Sequence, residues 1–358
     1  MFIKKDLCDN CIIYGNGNIR EAITAIDIGR LRIAIILDIN NKLIGTICDG
    51  DIRRGLLKGL TLDSSFEDLI QKKCIYAFCN TSKNEISKLM RKNVISQIPI
   101  ISEESEFIGL EISEDLLPSK EPNPLPHSAL LMAGGRGIRL SPLTDDCPKP
   151  LLPINGKPIL EIILNQCIDA GITNFYISVH YLSQMIKNYF GDGSKWGVKI
   201  KYLEEKFPLG TAGSLKLLPD YLDNPILVIN GDVLNKTNYE DLFTYHLRNN
   251  GDITICAREH IITSPYGVIE VDGIKFKSMV EKPSFRQLVN AGIYVVNPKI
   301  LDLIEQNKYL DMPDFISYCN KRNKRLIVYP VHEYWLDIGK PESLEKAHYE
   351  WSKYIYSP

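Results

Sequence analysis

The chain is 358 residues long, 44% hydrophobic and 24% charged, with a formal net charge of −2 and a pI near 6.3. That length predicts two or three domains with full cores, and the near-neutral balance excludes a global field for nucleic acid or an anionic membrane. No run approaches the ~18 apolar residues of a membrane helix. The opening Met1-Phe-Ile-Lys-Lys-Asp-Leu-Cys8 carries no long apolar segment behind its lysines, so a cytoplasmic protein without a signal peptide is expected. Any phosphate ligand must then be held by local cations and backbone amides.

Residues 1–117 carry a weak internal repeat. Ala34–Asp38 leads through Asn40-Asn41 to Leu43-Ile-Gly45 and Asp49-Gly-Asp-Ile52, and Ile98–Ser102 leads to Phe107-Ile-Gly109 and Glu114-Asp-Leu116. Gly45 and Gly109 are 64 residues apart, as are Asp51 and Asp115. Ile19, Ala22, Ile23 and Ile26, and later Ile86, Leu89 and Met90, have helical spacing. Each unit therefore reads helix, strand, turn, strand, helix, a smaller α+β module. It resembles a tandem pair of CBS domains. The resemblance implies an adenine-nucleotide cleft, with Asp51 and Asp115 at the ribose-gripping positions. Arg53 and Arg54 follow Asp51, whereas Leu117 and Pro118 follow Asp115, so only the first unit offers cations for phosphates. A ligand-free dimerisation module and a nucleotide sensor both remain open, and CBS pairs often associate face to face, which implies a homodimer.

Nine cysteines are scattered along the chain. Cys8-Asp-Asn-Cys11 looks like half a zinc site, but no second half follows at zinc spacing, so reduced thiols are expected. Prolines at 118, 122, 124 and 126 mark residues 118–126 as a semi-extended linker.

From 127 to 358 strands and helices alternate. Ala129–Met132, Asn174–Val179 and Ile226–Asn230 read as buried strands, and Ile159–Ala170, Tyr181–Tyr189 and Tyr239–Leu247 as the helices between. That pattern predicts a Rossmann-like α/β domain, with a mostly parallel sheet and helices on both faces. Ligands in such sheets sit beyond the carboxyl ends of the strands, where two informative segments fall. In the first, Ala133 is followed by Gly134, Gly135, Arg136, Gly137 and Arg139, with Lys149 between two prolines close behind. Glycines let backbone N–H groups approach phosphate oxygens, and the arginines and lysine add charge-assisted bonds. A P-loop ending or a GxGxxG dinucleotide turn is missing. The second segment is Asn230-Gly-Asp232, and Asp337 follows far along the chain. Two such carboxylates beside a phosphate loop predict a magnesium site. Two phosphate charges ~4 Å apart repel by roughly 4 kcal/mol at an effective dielectric of 20, so neutralising them is most of the chemistry.

The ordered motifs resemble the signature of the nucleotide-sugar pyrophosphorylases. Ala133–Leu140, Pro142–Thr144, Pro148–Leu152, Phe207–Ser214, Asn230–Asp232, Glu281–Pro283, Asn290–Tyr294 and Trp335–Asp337 follow in that family's order, across about residues 127–350. The resemblance implies catalytic roles for Arg139, Lys149 and Asp232, and magnesium held by Asp232 and Asp337. It implies nucleotide contacts from residues 133–137, Gly210, Thr211, Gly213 and Asp232, and a sugar-phosphate pocket of Glu281, Lys282, Asn290 and Gly292. Ile138 stands where many members carry Thr. Pro208-Leu-Gly-Thr-Ala-Gly213, His180-Tyr181 and Tyr189–Gly193 look like the guanylyl branch, which implies GTP. A CBS pair in front resembles guanylyltransferases of bacterial surface-sugar pathways, which implies glucosamine 1-phosphate, with mannose and heptose phosphates next. The partners are thus an NTP and a sugar 1-phosphate. A catalytically silent nucleotide-sensing scaffold of the same fold is the alternative, which loss of Arg139, Lys149, Asp232 or Asp337 would favour; all four are present. A metal-dependent glycosyltransferase would carry Asp-x-Asp where this chain has Asp232-Val-Leu234.

Overall fold

The computed structural model describes residues 2–5, 8–93, 95–113 and 125–355. The chain divides into two compact units, Met1–Glu121 and Pro122–Pro358. Asp115, and the linker as far as residue 124, lie outside the described residues. Among the described residues no helix is long and apolar enough to cross a membrane.

In the first unit the elements are β1 (Phe2–Lys4), β2 (Ile12–Tyr14), α1 (Ile19–Gly29), β3 (Ile33–Leu37), β4 (Leu43–Cys48), α2 (Asp49–Leu57), β5 (Ala77–Phe78), α3 (Lys83–Asn93), β6 (Gln97–Ile101) and β7 (Phe107–Ile112). They form a three-stranded sheet, β2-β3-β4, and a four-stranded sheet, β1-β7-β6-β5. The 64-residue offset governs the geometry in detail. The β3–β4 ladder pairs Ile33 with Cys48 and shifts register between Ile36 and Leu37. The β6–β7 ladder pairs Gln97 with Ile112 and shifts between Ile100 and Ile101. Asn18 and Glu21 cap α1 reciprocally at 3.0 and 3.1 Å, and Ser82 and Glu85 do the same for α3 at 3.4 and 3.1 Å. The two hairpins close on Asp38 and Ser102, each side chain accepting from backbone N–H groups two and four residues on. Cys8, Cys11, Ile35, Leu37, Phe107 and Leu110 belong to one shared core, so neither half buries its apolar face alone.

The second unit is built on a seven-stranded sheet. Its elements are β8 (Ser128–Met132), the short hairpin β9 (Pro153–Ile154) and β10 (Lys157–Pro158), α4 (Ile159–Asp169), β11 (Asn174–Val179), α5 (Ser183–Phe190), β12 (Lys199–Glu204), α6 (Gly210–Gly213), β13 (Ile226–Asn230), β14 (Val233–Asn235), α7 (Tyr239–Arg248), β15 (Ile253–Thr263), β16 (Val268–Asp272), β17 (Lys275–Val280), β18 (Ser284–Val296), α8 (Met312–Lys321), β19 (Leu326–Val331), β20 (Trp335–Asp337) and α9 (Pro341–Ile355). The sheet order is β12-β11-β8-β13-β18-β15-β19. Only β18 runs antiparallel to its neighbours β13 and β15; the other pairings are parallel. The central strands are apolar runs because both faces are covered. One face packs Leu131, Ile177 and Ile229 against α4, α5, α7 and α9, and the other packs Leu130, Tyr176 and Val228 against α6 and α8. α7 buries Tyr239, Leu242, Phe243 and His246 at helical spacing, and Asn238 caps it by accepting from Asp241 N–H at 3.2 Å.

Candidate active site

β8 has β11 on one side and β13 on the other, so the strand order reverses at the β8–β13 boundary. A crevice opens there beyond the carboxyl ends of the strands. A cleft of about 560 Å³ occupies it, lined by Ala133 through Arg139, Lys149, Ser178, Glu205, Pro208, Gly210, Thr211, Ser214, Asn230, Gly231, Asp232, Tyr309 and Asp311 among others. Gly231 N–H donates to Met132 O at 2.8 Å, and a Cβ on Gly231 would stand 2.3 Å from that oxygen. Only glycine lets the chain after β13 press against the end of β8. That contact sets Asp232 beside the glycine bend of residues 134–137.

Asp337 arrives from 105 residues further on. β14 pairs antiparallel with β20, placing Val233 opposite Asp337, and Ile338 N–H donates to Asp232 O at 3.0 Å. Burial, and then the charge of Asp232, push the Asp337 carboxyl above its ordinary range, while Lys149 and Arg139 pull it down. Lys149, only 7% exposed, places Nζ 2.5 Å from Asp232 Oδ2. A buried ammonium needs such a partner. Gly137 takes φ +65°, and its carbonyl accepts from Thr144 Oγ1 at 3.0 Å. Arg136 lies over the Tyr181 ring, 5.6 Å from its centre. The resting cluster is therefore two carboxylates and two cations beside a bend of backbone amides. Ile138 is 76% exposed and lines the cleft without contributing a polar atom.

Gly210 and Thr211 line the cleft, while Gly213 does not. Their loop is clipped to the segment before α8. Thr211 N–H and Oγ1 donate to Asp311 Oδ1 at 3.1 and 3.3 Å, Met312 N–H donates to Thr211 Oγ1 at 2.8 Å, and Ala212 and Gly213 N–H both reach Leu310 O at 2.9 Å. Gly213 thus faces the clip rather than the ligand space. Of the expected sugar-phosphate group, Glu281 and Lys282 are exposed on the turn between β17 and β18 and do not line the cleft. Asn290 is exposed and does not line the cleft, with Nδ2 donating to Tyr294 OH at 2.6 Å and Oδ1 accepting from Gly292 N–H at 3.0 Å. Gly292 backs onto Asn230. Two polar atoms of the cleft, Ser214 Oγ and Asn230 Oδ1, are buried without a hydrogen-bond partner among the described residues.

In the first unit Asp51 is only 4% exposed. It accepts from Cys48 N–H at 2.9 Å, Cys48 Sγ at 2.8 Å, Gln71 Nε2 at 2.9 Å, and Arg54. Arg53 is turned to Asp49 at 2.5 Å. Asp51 and Arg54 are together, but the Asp51 carboxylate acts as a cap on α2.

Residues 128–353 match the sequence model of the family described as nucleotidyl transferase. The chain belongs to that family. It is similar to a mannose-1-phosphate guanyltransferase of Yarrowia lipolytica, with 34% identity over 222 residues, covering 60% of this chain and 61% of that protein. It is also similar to a mannose-1-phosphate guanylyltransferase of Mycobacterium tuberculosis, with 32% identity over 226 residues, covering 61% and 63%. The chain thus spans about three fifths of the length of these curated relatives. Among solved structures it is similar to HddC from Yersinia pseudotuberculosis complexed with GMP-PN, at TM-score 0.50 and 27% identity over 63% of this chain and 99% of that one. A putative glucose-1-phosphate thymidylyltransferase from Bacillus anthracis, at TM-score 0.51, 22% identity and coverages of 63% and 94%, shares the fold.

Sequence reasoning missed Ser178, Glu205, Tyr309 and Asp311. The first two had a usable signal, since they close the ends of β11 and β12. Tyr309 and Asp311 had none, because their segment becomes part of the site only through the Thr211 clip.

Proposed function

We propose that the second unit is a sugar-1-phosphate guanylyltransferase, converting GTP and a sugar 1-phosphate into a nucleotide sugar and pyrophosphate. The observation that carries this reading is the convergence of Asp232, Asp337, Lys149 and Arg139 beside the glycine bend. An oxygen of the sugar phosphate, already ionised, attacks the α-phosphorus; the bond to the bridging oxygen breaks and pyrophosphate leaves with the electron pair. No covalent protein intermediate is needed. Backbone amides of 134–137 and the side chains of Arg139 and Lys149 hold the charge of the triphosphate and of the departing pyrophosphate.

The two carboxylates fit magnesium, which takes one or two carboxylates and completes its shell with phosphate oxygens and water. Among the described residues no group of three or more His, Cys, Asp and Glu side chains is placed to hold a metal, so the substrate must complete the site. When bound there, magnesium would neutralise the phosphates and bring them in line. Lys149 would then turn from Asp232 toward the phosphates.

Guanine is supported by the names of the relatives and by the GMP-PN complex of HddC. The same names favour mannose 1-phosphate as the sugar; glucosamine and heptose phosphates stand behind it. For the first unit the reading is a tandem CBS-like assembly module of a cytoplasmic homodimer. The internal bonding of Asp51 favours assembly over adenine-nucleotide sensing. The test is incubation of the purified full chain with each NTP against mannose, glucosamine, heptose and glucose 1-phosphates, following pyrophosphate. Release with GTP and one sugar phosphate is expected. No release with any pair, with magnesium present, refutes the activity; release of free nucleoside diphosphate points instead to glycosyl transfer.

A further inference from the structure

The glycine bend after β8 can grip phosphate only if its peptide planes turn the right way, and two of them are visibly set. Gly137 O accepts from Leu140 N–H at 2.8 Å and from Thr144 Oγ1 at 3.0 Å. Gly134 O faces Tyr181 N–H across 3.5 Å. In a planar trans peptide the carbonyl and the following N–H point opposite ways. These two carbonyls, drawn to one side, leave Gly135 N–H and Ile138 N–H pointing to the other. Among the described residues neither N–H has a hydrogen-bond partner, and Gly134, Gly135, Gly137 and Ile138 all line the cleft. The Ile138 side chain adds no polar atom there, but its backbone does.

Both carbonyls lead to one residue outside the cleft. Tyr181 lies between β11 and α5 and does not line the cleft, yet it is linked to the bend at three places. Its N–H faces Gly134, its ring carries Arg136, and its hydroxyl reaches the turn that holds Gly137. That hydroxyl donates to Asp145 O at 2.7 Å and lies 3.2 Å from Thr144 O. A phenol has one proton, so Asp145 takes the principal bond and Thr144 shares it. Thr144, only 2% exposed, is thereby fixed between Tyr181 and Gly137 O. It also packs on Gly137, where a Cβ would stand 3.1 Å from Thr144 Cγ2, so a shift of Thr144 passes to the bend.

We propose that Tyr181 is a positioning residue for the triphosphate: through Thr144 and Arg136 it holds the glycine bend with its amides turned to the phosphates. It touches no reacting atom. The inference rests on the guanylyltransferase reading and adds to it a side chain from the neighbouring strand on which the bend depends. The alternative is a merely structural role, in which the hydroxyl only anchors the 141–145 turn. The two differ at the phosphates. A structural loss weakens the fold or the whole cleft, whereas a turned peptide plane weakens phosphate binding alone.

Tyr181→Phe keeps the ring and deletes the hydroxyl; Thr144→Val deletes the link to Gly137 at nearly the same size. The measurements on the full-length protein are calorimetric titrations of GTP and of guanosine with magnesium, beside pyrophosphate release and melting temperature. The GTP-over-guanosine affinity ratio isolates what the phosphates contribute. Misplacement by about 1 Å costs up to about 10²-fold, so in Y181F that ratio should fall roughly tenfold or more and kcat about 10–100-fold. Guanosine affinity and melting temperature should hold. T144V should show the same signature, and the double variant should lose less than the product of the two, because both act through one chain of contacts. An unchanged ratio in Y181F, an equal loss for GTP and guanosine, or fully multiplicative losses in the double variant overturns the proposal. A wild type that binds GTP no better than guanosine overturns it together with the guanylyltransferase reading. Phosphate-dependent binding without pyrophosphate release refutes that activity alone and still decides the role of Tyr181.

Discussion

Replacing Asp337 by Asn should make the protein more stable and nearly inactive. Asp337 is half-buried beside Asp232, and burial followed by that neighbour's charge raises its carboxyl above the ordinary 3.8. Between pH 3.8 and the raised native value, the folded state binds a proton that the unfolded state has released. Wild-type stability therefore falls as pH rises through that window and stays lowered above it. Asn keeps the shape and removes the charge. Relief of one such unfavourable charge is worth about 0.5–2 kcal/mol, or a rise in melting temperature of roughly 1–8 °C for a unit of this size. The gain should be full at neutral pH and vanish below pH 3.8, where Asp337 is protonated in both states. Turnover moves the other way. Losing one of two charges aimed at the phosphates should lower kcat by at least about 10²–10³. Thermal melts across acid and neutral pH, with pyrophosphate release, test both halves. A variant that melts lower than wild type at neutral pH, or keeps kcat within about tenfold, would refute the idea that this charge is kept for chemistry at the expense of the fold.

Lys149→Met should lower kcat/KM by about 10²–10³. Its folding cost should stay below the roughly 3–5 kcal/mol of a fully buried broken pair, because Asp232 remains 27% exposed; turnover near the wild-type value would remove Lys149 from the chemistry. Gly137→Ala meets a φ of +65° and places a Cβ 3.0 Å from Lys149 Cβ. It should cost about 1–2 kcal/mol and depress activity, whereas Gly156→Ala, at φ +85° with open space around it, should cost stability alone; equal activity in the two variants would count against a spatial role for the bend. His246 is buried against Thr254 Oγ1 at 2.8 Å, and burial, with His127 nearby, lowers it to about 4. Its neutral form is favoured in the fold, so its contribution is intact above pH 6.5 and is lost as pH falls from 6.5 toward 4, by up to about 3 kcal/mol. Urea unfolding of wild type and His246→Gln should diverge across that window, and parallel curves would disprove the assignment.

Local signals carried the architecture. The apolar runs at 174–179 and 226–230 read as strands from sequence and are strands with those bounds. The amphipathic stretch after residue 159 is a helix, and the 64-residue repeat of the first unit persists down to its hairpin shifts and helix caps. Such features are legible because they depend on side-chain periods of two or 3.6 residues and on caps within one turn.

The chain alone thus determined which segments become strands and helices, where a glycine bend closes a strand end, and the family to which the second unit belongs. The sequence motifs already paired Asp232 with Asp337; tertiary structure alone decided that they meet through the β14–β20 ladder, that Asp311 reaches back 100 residues to hold Thr211, that Glu281 and Lys282 stand outside the cleft, and that Asp51 is turned inward to cap a helix. These outcomes rest on strand order, register and burial between distant segments. Loop closure over such separations changes in free energy only slowly with length, so spacing along the chain holds almost no record of the ladder and register that bring distant side chains together.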